Sequence, residues 1–217
     1  MEYVKGISLR DYYQRCHRRI CEKACKRIFY QLCDAMSYLH SNHMAHRDIK
    51  LENILINGNN DIKIIDFGFG MISPENETQH FFCGTPNYMP PDIAVKVGYK
   101  GDKADLWSLG ILLYKMIVGD FPFKGKSEKD LYKSIKTGKF IFPHDISDDA
   151  KKIICNLIVL KPEKRVSCEK ILKFDWFNSN KEEKEQISVR VVKFDKENKN
   201  LIEALKFLNY NKKKEDN

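Results

Sequence analysis

Residues 102–118, DKADLWSLGILLYKMIV, constrain the fold more than any other stretch of the chain. They read as one helix that is apolar over most of its surface, closed by Gly119-Asp120-Phe121-Pro122. Such a helix is stable only where other elements cover it, so it belongs in the middle of a helical domain. It does not read as a membrane span. Lys115 interrupts the longest apolar run, and no run approaches the ~18–20 residues a span requires.

Covering elements are present on both sides. A polar helix starts near Leu9, and a better one runs from about Glu22 to His40, with Ile28, Leu32, Met36 and Leu39 on one face. Further helices are expected near Ser127–Thr137, Asp148–Leu160 and Ser167–Phe174. The first eight residues read as an extended piece ending near Gly6. Two β runs, Asn53–Ile56 and Asp61–Asp66, flank the turn signal Asn57-Gly58-Asn59-Asn60 and form a hairpin. Residues 68–102 lack periodicity and carry several prolines, the mark of a long functional loop. The expected fold is mainly α with a small β-hairpin. Near residue 178 the composition shifts to Lys, Glu and Asn. This places a domain over 1–177 and a tail over 178–217, in which Leu201, Ile202, Leu205 and Leu208 form an amphipathic helix.

Composition excludes several classes. With 42% hydrophobic and 31% charged residues among 217, the chain is globular. Seven cysteines with no Cys-x-x-Cys argue for a reducing compartment rather than a disulfide framework. Cys16, Cys21, Cys25 and His17 lack the second ligand pair of a zinc site and read as ordinary thiols. No apolar signal core opens the sequence. The net charge of +8 invites nucleic acid, but both signs are interspersed and the basic run Lys212–Lys214 is short, which disfavours that partner.

Three short segments carry chemistry. The run His46-Arg47-Asp48-Ile49-Lys50-Leu51-Glu52-Asn53 places a base, a cation and a metal-ligating amide (Asp48, Lys50, Asn53) on one loop. Asp66-Phe67-Gly68 follows the apolar strand 62–65, where a carboxylate beside a flexible glycine is placed to hold a cation. Cys83-Gly84-Thr85-Pro86-Asn87-Tyr88 stands near the end of the irregular segment. Each alone is a chance match, with Asp48 a helix cap and Asp66 a turn carboxylate. In this order, followed by Asp105-Leu106-Trp107-Ser108-Leu109-Gly110, chance is a poor explanation.

Residues 1–177 resemble the large, mostly helical lobe of a eukaryotic protein kinase, the first two segments matching its catalytic loop and metal-binding turn. Lys50 two residues after Asp48, with Thr85 in Gly-Thr-Pro-x-Tyr, is similar to serine/threonine kinases. The wider pattern is similar to the calmodulin-dependent, AMP-activated-related, polo and Aurora groups. The resemblance implies transfer of the ATP γ-phosphoryl group to a Ser or Thr hydroxyl of a protein substrate. Asp48 would take or orient the hydroxyl proton, Lys50 steady the phosphoryl oxygens and Thr85 brace both. Asn53 and Asp66 would hold Mg²⁺.

Further roles come with the resemblance. Met1-Glu2-Tyr3-Val4 would be the hinge, with Glu2 and Val4 backbone groups on adenine, Leu55 beneath the ring, and Ser8 and Glu52 near the ribose. His46 and Phe67 would pack inside, Asp105 would bind the catalytic-loop backbone, and Asp92 would pair with Arg165. Arg47 implies an upstream activating kinase acting on Thr78 or Ser73, and the location implied is intracellular, cytoplasmic or nuclear.

Within these 217 residues there is no glycine-rich phosphate loop, no strand lysine and no partner glutamate. The resemblance thus covers a hinge and large lobe, with the small lobe absent. A nucleotide site open to water stabilises charge weakly. The chain alone is expected to bind ATP poorly and transfer little phosphate. The alternative is a kinase-derived binding or regulatory module without turnover.

Overall fold

The computed structural model describes residues 4–72, 78–94, 98–142 and 146–177. Glu2, Ser73 and the stripe Leu201–Leu208 lie outside these. The elements in order are β1 (Gly6–Ser8), α1 (Leu9–Arg15), α2 (Glu22–Ser41), β2 (Met44–Ala45), β3 (Ile54–Asn57), β4 (Ile62–Ile64), β5 (Met71–Ile72), α3 (Pro91–Ala94), α4 (Gly101–Val118), α5 (Glu128–Thr137), α6 (Asp148–Leu157) and α7 (Cys168–Ile171).

α4 is the centre, as its sequence requires. Residues from Ala104 to Ile117 are buried on nearly every side, Lys115 excepted. It ends at Gly119, whose φ of 89° is the left-handed conformation of a helix stop. α2 lays Cys25, Ile28, Leu32, Met36 and Leu39 against this core. α6 crosses α4 where Gly110 has no side chain; a Cβ there would lie 2.7 Å from Ile158 Cγ1 and 2.8 Å from Leu157 Cβ.

Capping follows the local sequence. Ser8, Ser127 and Ser147 each accept a hydrogen bond from the backbone N–H three residues on. Glu22, in the first turn of α2, accepts from Trp176 Nε1 at 2.7 Å and from the Ser147 hydroxyl, tying the helical body together.

The hairpin forms as β3–β4, but β1 adds a third antiparallel strand with Ser8 opposite Leu55. β1 starts at Gly6 rather than ending there. A Cβ at Gly6 would lie 2.5 Å from the Ile56 carbonyl oxygen, so the glycine admits the strand. A second sheet pairs β2 with β5, Ala45 opposite Met71. α6 stops at Leu157, before the expected Leu160, because Arg165 draws the Val159 and Leu160 carbonyls away from the helix axis. α7 is shorter than expected because Phe174 bonds back to Ile171, tightening the chain into a 3-10 turn at Asp175–Phe177.

Candidate active site

Two strand pairs bring the first two chemical segments together. Ala45 opposite Met71 bounds them on one side and Ile54 opposite Ile64 on the other. The loop 46–53 and the loop 65–70 therefore leave and re-enter the same two sheets. The Ile65 N–H donates to the Asn53 carbonyl at 2.9 Å, continuing the ladder into the loops. His46 Nε2 lies 3.1 Å from the Ile65 carbonyl oxygen, and its ring centroid is 4.8 Å from that of Phe67. Arg47 Nε donates to the Phe69 carbonyl at 2.6 Å.

Asp48 is the hub of the first loop, buried with its carboxylate fully bonded. Thr85 Oγ1 donates to Oδ1 at 2.9 Å, and Lys50 Nζ lies 2.5 Å from Oδ2. Lys50 also donates to Thr85 Oγ1 at 3.0 Å, closing a triangle. Asn53 Nδ2 donates to the Asp48 carbonyl at 2.9 Å and to Oδ2 at 3.1 Å. Thr85 reaches this loop because of Gly84, with φ of 114°. A Cβ there would sit 3.0 Å from the Arg47 carbonyl oxygen. Asp48, Lys50 and Asn53, neighbours on one loop, and Thr85, 37 positions after Asp48, thus form one constellation.

A buried carboxylate supports the loop from below. Asp105, with no exposure, accepts from the N–H of His46 at 2.9 Å and of Arg47 at 2.7 Å. His40 Nε2 lies 3.1 Å from the same carboxylate. Burial pushes the His40 imidazole down, but its hydrogen bond with Asp105 and that carboxylate's charge outweigh this and leave it raised. Arg47 adopts φ of 67°, a strained conformation that these bonds enforce. Sequence reading did not find His40, since its partner lies 65 positions away and no local motif marks the pair.

Asp66 is exposed, at φ of 63°, and its Oδ1 accepts from the Gly68 N–H at 3.1 Å. It is thus a turn carboxylate as well as a candidate ligand. Magnesium takes oxygen donors and needs only one or two from protein when phosphates supply the rest. Two oxygen donors of that kind are present, the amide oxygen of the buried Asn53 and the carboxylate of the exposed Asp66. No cluster of three His, Cys, Asp or Glu that could hold a metal occurs among the described residues.

The residues expected near the nucleotide lie on β1, β3 and the segments beside them. Ser8 and Leu55 face each other across β1 and β3. Leu55 alternates with the core residues Ile54 and Ile56 and is half-buried. The Ser8 hydroxyl is engaged in capping: it accepts from the Asp11 N–H at 3.0 Å and donates to Asp11 Oδ2 at 2.7 Å. Glu52 lies 3.7 Å from Arg10 Nε. Val4 is half-buried before β1.

The irregular segment is pinned at its base. Asp92 Oδ2 accepts from Arg165 at 3.0 Å, and Arg165 also donates to the Lys103, Val159 and Leu160 carbonyls. Gln79 and Tyr99 exchange backbone hydrogen bonds of 2.8 and 3.0 Å. The Tyr99 hydroxyl donates to the Phe81 carbonyl and accepts from Arg47. Burial pushes it up to about 12. Phe81 is 61% exposed, and Thr78 is exposed.

Residues 1–177 match the family model of the protein kinase domain. The chain belongs to the protein kinase family. Among curated proteins it is 39% identical over 184 residues to CBL-interacting serine/threonine-protein kinase 5 of Arabidopsis thaliana, covering 83% of this chain and 41% of that protein. It is 41% identical over 191 residues to the probable serine/threonine-protein kinase fhkC of Dictyostelium discoideum, covering 84% and 32%. It is 34% identical to CBL-interacting protein kinase 15 of Oryza sativa subsp. japonica, covering 88% and 45%. The chain spans less than half the length of these relatives.

Proposed function

We propose that this kinase chain forms the catalytic large lobe that transfers the γ-phosphoryl group of ATP to serine or threonine hydroxyls of a protein substrate. The observation that supports this best is the pairing of both loops between the same strand pairs, with the Asp48 carboxylate held by Thr85, Lys50 and Asn53. Asp48 orients the acceptor hydroxyl and takes its proton. Thr85 fixes one carboxylate oxygen so that the other faces a constant direction. Lys50 stands beside the carboxylate and steadies the charge of the transferring group. Asn53 and Asp66 would hold Mg²⁺, which neutralises phosphate charge when bound. Val4 and Leu55 would line the adenine side, and Ser8 and Glu52 the ribose side. An upstream kinase acting on the exposed Thr78 is part of this proposal.

The 217 residues contain no glycine-rich loop, so the chain assayed alone is expected to bind Mg·ATP weakly. Low-micromolar binding by calorimetry would contradict that. The transfer reading is tested by fusing this chain behind the small lobe of the Arabidopsis relative. The fusion should phosphorylate a serine peptide, and Asp48→Ala should abolish it. A folded fusion with no transfer, beside an active relative, would remove the reading in favour of a kinase-derived binding module.

A further inference from the structure

A strongly basic part of the described surface is not used by the candidate site. Residues 10–27 hold seven arginines and lysines against two acids, more than half of the excess behind the net charge of +8. Intervening uncharged residues dilute this in the sequence, but the fold gathers it. α1, the loop 16–20 and the start of α2 lie together over the end of α4. The Tyr13 hydroxyl donates to the Gly119 carbonyl at 2.6 Å, Arg19 Nε to the Ile117 carbonyl at 3.2 Å, and the Ile20 N–H to the Met116 carbonyl at 2.8 Å. Both acids already hold partners: the exposed Asp11 accepts from the Ser8 hydroxyl, and the half-buried Glu22 from Trp176 and Ser147. Arg15, His17, Arg18, Arg19 and Lys23 are exposed.

The loop is also preset. His17 and Arg18 have φ of 54° and 63°, the one consecutive pair of left-handed non-glycine residues among those described. The Arg18 N–H donates to the Tyr13 carbonyl at 2.9 Å and the Arg19 N–H to the Cys16 carbonyl at 3.1 Å. Gly119 lets the loop sit down, since a Cβ there would lie 2.6 Å from the Arg18 carbonyl oxygen. Strain of this kind persists only where the surroundings enforce it. Cations held in a fixed array lose less freedom on binding.

We propose that this face docks an acidic segment of the protein substrate, remote from its acceptor residue. Single-stranded nucleic acid is bound through exposed aromatic rings; here Tyr13 is buried and Tyr12 half-buried. A membrane surface is entered by apolar side chains. The exposed large hydrophobic residues described are Phe69, Phe81, Ile141 and Leu160, none of them on this face. Carboxylates need only the guanidinium groups themselves. The Arg10–Glu52 pair at 3.7 Å joins the face to the Asp48 loop, which makes it continuous with the candidate site. That the acidic segment belongs to a substrate rests on the kinase reading; its binding does not.

The test is fluorescence anisotropy of the full 217-residue chain with a labelled 15-residue peptide of Asp, Glu, Gly and Ser. Arg15→Glu with Arg18→Glu should weaken binding about tenfold or more, and the neutral pair Arg15→Gln with Arg18→Gln about threefold. Lys129→Glu with Lys136→Glu on α5 makes the same change in total charge and should alter affinity less than about twofold. Circular dichroism confirms folding, and the glutamine pair carries the test if the glutamate pair unfolds. Equal losses on both faces would reduce the effect to net charge and overturn the proposal. So would preferential binding to a single-stranded RNA oligomer or to phosphatidylserine vesicles. If the peptide binds through this face while the fusion transfers no phosphate, the docking surface stands and the kinase reading falls. If the fusion is active and the face is indifferent, docking alone falls.

Discussion

Asp105→Asn probes the support of the catalytic loop. The carboxylate has no exposure and accepts from two backbone N–H groups while contacting His40. A hydrogen bond to a charged group is worth ~1.5–3 kcal/mol. Asparagine has the same shape and keeps one acceptor, so the Arg47 N–H can stay satisfied. Its NH₂ group then meets the His46 N–H and His40, so two charge-assisted contacts are lost. The expected cost is about 3–5 kcal/mol, a large share of the ~5–15 kcal/mol of a typical domain. With a urea slope of ~2–3 kcal/mol/M, the midpoint falls by about 1–2.5 M, read by circular dichroism at 222 nm. The variant should also lose a pH dependence. The raised folded pKa of His40 means that its contribution is full below the ordinary histidine value of about 6.5 and is lost as pH rises through the folded value above it. Wild type should therefore lose stability from this group between pH 6 and alkaline pH, and Asp105→Asn should not. A midpoint shift below about 0.3 M, with the histidine-linked slope intact, would refute the reasoning.

Other substitutions separate chemistry from folding. In the fusion, Lys50→Met should cut transfer by about 100-fold or more with little change in melting, because Lys50 is partly exposed while its partners stay bonded to each other. Gly110→Ala sets a helix-propensity gain of ~1 kcal/mol against overpacking of ~1–3 kcal/mol. The 2.7 and 2.8 Å approaches to Ile158 and Leu157 decide for destabilisation, read as a lower urea midpoint. Asp92→Ala should destabilise by about 1–3 kcal/mol, at the lower end of stranding a buried cation, because three carbonyls still hold Arg165. Thermal denaturation checks it.

Legibility followed range along the chain. α2 was readable because it repeats its apolar positions over several turns, and α4 because it is apolar on nearly every side. The β3–β4 hairpin was readable because Asn57-Gly58-Asn59-Asn60 announces its turn. The β2–β5 pair was not, since two residues per strand are too few to show a period. Yet this pair is what brings the Asp48 and Asp66 loops together. The ends of α6 and α7 go with short-range bonds, from Arg165 to the Val159 and Leu160 carbonyls and from the Phe174 N–H to the Ile171 carbonyl, which apolar spacing does not mark. Motif spacing named Asp48, Lys50, Asn53 and Asp66, the family resemblance added Thr85, and the fold joins all but Asp66 by hydrogen bonds. His40 and the basic face of α1 and α2 came only from the folded arrangement.

The central claim is that Asn53 and Asp66 face one cation-bound triphosphate beside Asp48. Manganese offers the direct measurement, since it replaces magnesium and broadens nearby nuclear resonances even when binding is weak. With the ¹⁵N-labelled chain in millimolar Mn·ATP, the Asn53 side-chain amide and the backbone amides of Phe67 and Gly68 should broaden first, while α6 stays sharp. Broadening that spares Asn53, or that centres on acidic residues elsewhere, would contradict the account.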